Sequence, residues 1–371
     1  MVVGRLARDR TRPRFGERYV SAVGRRPSRR FPPRGEEGLD CEHPFYYGPW
    51  QGKLEKDDQH LRQQVESRPL EAPPRLAHPI PYQGSKRGLA PVIGTYVPRP
   101  IQTWYEPFAG SAAMTIWAAH TGLAERYVIG DSLEPIANLW RAIISEPKST
   151  AERYERIWNG QKRGGDSYFN RVRERYNKAR DPVDLLYLIC RCVKNAVRFN
   201  GKGVFTQSVD KRRLGMHPDK MRVAIMGASG LLRGKTEVRV GDWLESIEDA
   251  AHQDFVYMDP PYLGTSAGRD KRYAEQMDRE RLIRGLRLLR ERNIRFALSY
   301  DGMTGEKEYG PPLPADLGLT RLLLHAGTSS QATLSGRKAE TIESLYLSPG
   351  LAEPVGEVIR LRRVIQEPLL L

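Results

Sequence analysis

Phe255-Val256-Tyr257-Met258 runs directly into Asp259-Pro260-Pro261-Tyr262. Four apolar or aromatic residues with no polar alternation predict a strand buried on both faces. Two prolines cannot continue a central ladder, because they lack N–H donors and fix φ. The strand must therefore stop abruptly, and in an open α/β sheet such a stop falls at the carboxyl edge, where ligands bind.

The flanking sequence supplies the rest of that sheet. IQTWYEPFAGSAAMTIWAAHTG predicts a strand over 101–105, a glycine turn, then an apolar helix from about Ala112. RYVIGDSLEPIANLWRAI repeats the pattern, with Asp131 at the strand's end. Such alternation argues for a parallel, helix-covered sheet. Strand patterns resume with TEVRVGDW, RFALSY, TRLLLHAG and ETIESLYLS, and a charged helix is expected over 278–292. Residues 150–235 read differently. They are helical in pattern and rich in Arg, Lys, Asn and Tyr, as an inserted subdomain would be. The expected domains are an Arg/Pro-rich mobile arm over 1–75, a catalytic domain over 76–149 and 236–371, and the helical insertion over 150–235.

Charge and cysteine usage narrow the class. The net charge is +15, and the first 35 residues alone hold eleven arginines against Asp9 and Glu17. The remainder is also basic, which favours a polyanionic partner, although charge alone equally suits a solubilising surface. No run of about 18 apolar residues predicts a membrane span, and no apolar segment follows the basic start as in a signal peptide. Cys41, Cys190 and Cys192 make no disulfide framework or zinc pattern, so a reducing, cytoplasmic setting is expected and no metal. Cys190 and Cys192, in the apolar run LLYLICRCV, are expected to pack within a helix.

The segments at the predicted sheet edge carry chemistry. The turn after Met258 brings together a carboxylate, rigid backbone carbonyls and an aromatic ring. Two acceptors and a flat surface suit an exocyclic amino group on a planar base, although a tight Asx-Pro turn uses the same residues. Gly110 permits close backbone approach to a ligand. The chain lacks the GxGxxG fingerprint, which disfavours a nicotinamide enzyme. Asp131, about twenty residues on, is placed to accept both hydroxyls of a ribose, or to cap the following helix.

Taken in order, these segments resemble the Dam-like group of DNA adenine methyltransferases. Pro81-Tyr82-Gln83-Gly84-Ser85-Lys86-Arg87 is similar to that group's N-terminal segment, and Glu106-Pro107-Phe108-Ala109-Gly110 to its cofactor loop. Asp131 is similar to its ribose-binding acid, and Arg198-Phe199-Asn200-x-x-Gly203-x-Phe205 to a signature of its recognition region. The resemblance implies a Rossmann-like class I methyltransferase sheet with an inserted, mainly helical DNA-recognition subdomain. It implies transfer of a methyl group from S-adenosylmethionine to adenine N6 in double-stranded DNA, with the base flipped out of the helix and its nitrogen attacking in line. Asp259, Pro260, Pro261 and Tyr262 would be catalytic. Tyr82, Lys86, Glu106, Phe108, Gly110, Asp131 and Asp242 would bind the cofactor, with Lys86 on its carboxylate and Asp242 on its adenine; Asp242 equally suits a turn cap. A companion restriction nuclease is a further implied partner.

The stretch 195–213 combines cations, amides and aromatics in a predicted loop. Asn195, Arg198, Asn200, Lys202, Lys211 and Arg212 suit phosphate and base-edge contacts, while its aromatics would wedge or stack. Arg269, Lys271 and Tyr273, in the loop after the prolines, are expected to close over the flipped nucleotide. The chain departs from the family pattern at Ala112, where a second glycine is usual, and at Leu133 and Thr206, where asparagine is common. Two other readings remain open: a cytosine-N4 methyltransferase, and a non-catalytic DNA-binding protein of the same fold.

Overall fold

The computed structural model describes residues 76–261, 278–304, 307–308, 310–328, 340–351 and 364–366. The expected arm over 1–75 lies outside them, as do Tyr262, Arg269, Lys271 and Tyr273. After a short helix α1 (Ala90–Gly94) come β1 (Ile101–Glu106), α2 (Ala113–His120), β2 (Ala124–Asp131) and α3 (Glu134–Ser145). Three helices follow, α4 (Pro147–Ala179), α5 (Pro182–Arg191) and α6 (Pro218–Leu232). The chain then runs through β3 (Thr236–Val240), β4 (Phe255–Met258), α7 (Arg279–Glu291) and β5 (Arg295–Thr304). It ends with β6 (Lys307–Glu308), β7 (Thr320–Thr328), β8 (Glu340–Leu347) and β9 (Val364–Gln366).

One sheet carries the fold, in the order β3-β2-β1-β4-β5-β8-β7-β9, with β6 pairing β5. The first five strands in that order pair in parallel, and β8 runs antiparallel to both β5 and β7. This is the expected Rossmann-like sheet. The order reverses between β1 and β4, and such a switch point opens a crevice beyond the strands' carboxyl ends.

The two-residue period of the central strands sorts their side chains between two cores. Trp104, Phe255, Tyr257 and Ala297 face one side, with α1 to α6. Tyr105, Val256, Met258, Phe296 and Leu298 face the other, with α7. All four β4 residues are buried, as the unbroken apolar run predicts. Glycine fits where helices press closest: a Cβ on Gly94 would lie 1.7 Å from the Trp117 ring.

Helices α4 to α6 share their buried side chains with α2, α3 and the sheet, so the region over 150–235 has no separate core. Its chain is tied inward by side chain to backbone bonds, including Ser229 Oγ to the Ile144 carbonyl and Tyr154 Oη to the Met216 carbonyl. Cys190 and Cys192 are buried, as expected of packing residues. Among the described residues no helix is long and apolar enough to cross a membrane, and no group of acids, histidines or cysteines is arranged to hold a metal.

Candidate active site

A cleft of ≈ 1080 Å³ opens at the switch point. Its lining joins residues far apart in sequence: Tyr82, Gly84 and Lys86; Glu106, Phe108 and Gly110; Asp131; Asp242; and Asp259 with Pro260 and Pro261. Every expected cofactor residue therefore borders the same space as the described part of the proline turn.

The glycine turn combines a left-handed backbone with side chains from β2 and α3 that hold it. Gly110 has φ 47, a left-handed value that disfavours other residues, and a Cβ there would meet the Tyr82 ring at 3.3 Å. The Gly110 N–H donates to Asp131 Oδ2 at 2.9 Å, and its carbonyl accepts from Trp140 Nε1 at 2.9 Å. The other Asp131 oxygen accepts from the Leu133 N–H at 2.9 Å. Burial is the largest influence on this carboxyl and raises its pKa to about 6 against those two bonds. Asp131 thus ties its own turn to the glycine turn and borders the cleft, whereas the helix cap expected of it is absent: α3 starts from Leu133 with no side-chain cap.

Asp242 behaves likewise. Its Oδ1 accepts from the Leu244 N–H at 3.0 Å, and its Oδ2 pairs with Arg281 of α7 at 2.8 Å. Beside it Trp243 lies 5.8 Å from the Phe108 ring, giving the cleft an aromatic wall that sequence reasoning half missed. Glu106 is buried, and its Oε2 accepts from the Thr115 N–H at 2.6 Å. Burial dominates its titration and, with the nearby Asp259 charge, raises its pKa to about 8 despite the Thr115 bonds.

Lys86, expected against a carboxylate of the cofactor, is instead bonded to the protein's own acids. Its ammonium lies 2.9 Å from both Asp259 oxygens and 3.3 Å from Glu343 Oε2, and donates to the Gly84 carbonyl at 3.1 Å. Burial opposes its charge most strongly, but Asp259, Glu343 and Tyr257 together raise its pKa above the ordinary lysine value. Glu343 was not anticipated. The signal was present in ETIESLYLS, where a charged residue breaks an otherwise inward-facing row.

The stretch 195–213 requires one correction. Phe205 does not stand ready to wedge or stack, because it is buried; Phe199 is half-buried and packs 5.7 Å from it, and both lie against Tyr176. Asn195, Phe199 and Asn200 line the cleft, so this loop reaches the same space as the glycine turn. Several side chains expected to contact DNA are engaged within the protein. Asn195 donates to the Ile189 carbonyl and accepts from Arg213; Asn200 Oδ1 accepts from the Lys202 and Val204 N–H groups; Arg212 pairs with Asp210. Arg198 is half-buried, whereas Lys202 and Lys211 are exposed.

Comparison with known proteins agrees with this geometry. Residues 82–346 match the D12 class N6 adenine-specific DNA methyltransferases. The chain belongs to that family. It is 23% identical over half its length to type II methyltransferase M1.LlaDCHI of Lactococcus lactis subsp. cremoris, covering 65% of that protein. It is 25% identical over 60% of its length to modification methylase StsI of Streptococcus sanguinis, covering 35% of it. It is 24% identical over 61% of its length to the DNA N-6-adenine-methyltransferase of Escherichia phage P1, covering 30% of it. The chain thus spans between about a third and two thirds of these relatives. The family bears out the resemblance drawn from the motifs, at the level of the D12 class rather than the Dam-like group within it.

Proposed function

We propose that this chain methylates adenine N6 in double-stranded DNA, using S-adenosylmethionine. The observation that carries the reading is the shared cleft: the carboxylate before the twin prolines opens onto the same space as the glycine turn and Asp131. Adenine is favoured over cytosine by the family to which the chain belongs.

The residues fit the cofactor. Gly110 keeps a Cβ out of the space beside the Tyr82 ring, Asp131 offers carboxylate lone pairs to ribose hydroxyls, and Phe108 with Trp243 offers a wall for a planar adenine. Asp242 stands beside that wall as an acceptor. When bound, the cofactor supplies a methyl group made electrophilic by its sulfonium.

The protein's part is to present the amino group. Asp259 and the Pro260 carbonyl accept its two hydrogens, and Tyr262 stacks on the flipped ring. Holding both hydrogens in acceptor bonds turns the nitrogen toward sp³ geometry and frees its lone pair. The proline pair fixes the carbonyl in place beforehand, so catalysis here is positioning and electrostatics. Helices α4 to α6 and the loop 195–213 serve as the recognition region, with Arg198, Lys202, Lys211 and Arg212 toward the phosphates. Arg269, Lys271 and Tyr273 are proposed to lie over the nucleotide. A cytoplasmic location gives access to DNA, and a companion nuclease follows the restriction-modification pattern of relatives named modification methylases.

Modified-base sequencing of DNA from cells expressing the chain, with mass analysis of its nucleosides, tests the reading. N6-methyladenine at a defined motif is expected, and it should disappear with Asp259→Ala in a protein that still melts cooperatively. N4-methylcytosine would overturn the choice of base. Absence of any transferred methyl group would favour the non-catalytic alternative.

A further inference from the structure

Lys86 has three N–H bonds, and the structure surrounds its ammonium with the Gly84 carbonyl, both Asp259 oxygens and Glu343 Oε2. The lysine is only 6% exposed, against 21% for Asp259 and 17% for Glu343. One cation therefore serves two acids in a largely water-excluded place.

Glu343 is brought there by a distortion in the sheet. The β5–β8 register shifts between Ser299 and Gly302, which sets Glu343 opposite Gly302. Gly302 has φ 136, and a Cβ on it would lie 2.5 Å from the Ile342 carbonyl oxygen, so only glycine lets β8 approach so closely. Bulges of this kind re-aim side chains beside active sites. Two residues further along β8, Leu345 and then Leu347 belong to the same core as Tyr257, the face on which Asp259 also falls by strand period.

The arrangement poses a problem for the proposed reaction. Asp259 must accept a hydrogen from the target amino group, yet in this state the ammonium sits equally on both of its oxygens. Releasing one oxygen strips a buried cation of part of its compensation, which is costly unless another acid takes up the contact. We infer that Glu343 is a positioning residue that holds Lys86 while Asp259 turns one oxygen to the base. The lysine in turn keeps Asp259 ionised and aimed. This rests on Asp259 being the amino-group acceptor.

The test uses the full chain with Lys86→Met, Glu343→Gln and the double variant. Label transfer from methyl-labelled S-adenosylmethionine to DNA lacking adenine methylation gives the rates; melting of the ligand-free proteins gives a readout independent of activity. Glu343→Gln is expected to slow single turnover ~10-fold and Lys86→Met ~100-fold, with the double variant within ~2-fold of Lys86→Met, because residues acting as one unit do not add. Glu343→Asp should recover part of the rate. In melting, Glu343→Gln should lower the midpoint of the wild type but raise that of Lys86→Met, where it removes one of two acids that have lost their shared cation. Rate losses that multiply, or a lowered midpoint in both backgrounds, would overturn the role of Glu343 alone. A wild type that methylates no DNA would remove the reading of Asp259, and with it this role.

Discussion

Two polar clusters border the same cleft and differ in what their side chains hold together. At the sheet edge, acids find partners across the fold: Asp259 with Lys86, 173 positions away, and Asp131 with the Gly110 N–H, 21 positions away. In the stretch 195–213 two of the loop's own acceptors serve near neighbours, while α4 reaches the loop's backbone through Arg173, Asn177 and Arg180. Asn200 serves Lys202 and Val204, and Asp210 serves Arg212 and Arg213. The edge is therefore assembled by folding and has polar capacity aimed into a cleft. The loop first uses its amides and one acid to hold its own shape, and offers the cleft a surface that depends on that shape.

The largest expected effect sharpens the first half of that contrast. Asp259→Ala should reduce single-turnover methyl transfer by ~1000-fold or more, comparable to losing a principal electrostatic contact to the reacting group. DNA affinity should change little if the phosphates are held by the proposed recognition region. Parallel losses of rate and affinity would mean that the edge and the loop are not separate in function.

Asn200 tests the second half. Asn200→Ala removes the acceptor for two backbone N–H groups and should weaken DNA binding ~5-fold, in line with ~1 kcal/mol for a lost cap-type bond. Asn200→Asp keeps an acceptor for both N–H groups but has no donor for a base edge. If the amide shapes the loop, the aspartate variant should retain most of the affinity at raised salt, where its added charge is screened. If it reads a base, both variants should fail alike in a titration against the cognate duplex.

What could be read in advance followed how many elements each feature needs. The strand into the proline turn, the glycine turn and Asp131 each carry a local pattern, because strand burial, left-handed φ and turn capping are set by neighbouring residues. Phe205 misled because an aromatic residue in a polar run looks exposed, yet α4 supplies Tyr176 to cover it. Lys86 and Glu343 could not be paired from sequence: their contact depends on a bulge in β5 and on Gly302 admitting β8. Roles set by one element were legible; those needing three elements were not.

Glu106 gives a smaller, pH-dependent effect at the edge. Its pKa is raised to about 8 mainly by burial, so the native state holds a proton that the unfolded chain releases from about pH 4.5 upward. Stability from this group is full below the unfolded value and declines as pH rises toward 8. Asp131, raised to about 6, acts in the same direction at lower pH, while His78, lowered to about 4 by burial and the Arg87 charge, acts in the opposite direction up to about 6.5. Above that point Glu106 is isolated from both. Glu106→Gln keeps an acceptor for the Thr115 N–H and should flatten the fall in melting temperature between about pH 6.5 and 8, gaining a few degrees on the wild type at the alkaline end. Parallel curves would show that the carboxyl is already ionised.

The smallest effect concerns the departure from the family at Ala112. This residue precedes α2 with φ 43 and ψ 41, a left-handed conformation in which glycine is at ease and alanine is strained by ~1 kcal/mol. That accounts for the usual glycine there. Its methyl group, however, is fully buried in the core beneath the glycine turn, and removing a buried methyl forfeits ~0.8 kcal/mol. The two quantities oppose each other and nearly cancel. Ala112→Gly should therefore change unfolding free energy by less than ~0.5 kcal/mol in a denaturant titration, within the spread of ordinary surface changes. A gain well above that would show the strain to be unrelieved by packing, and a loss well above it would show that the methyl group props the turn that carries Gly110.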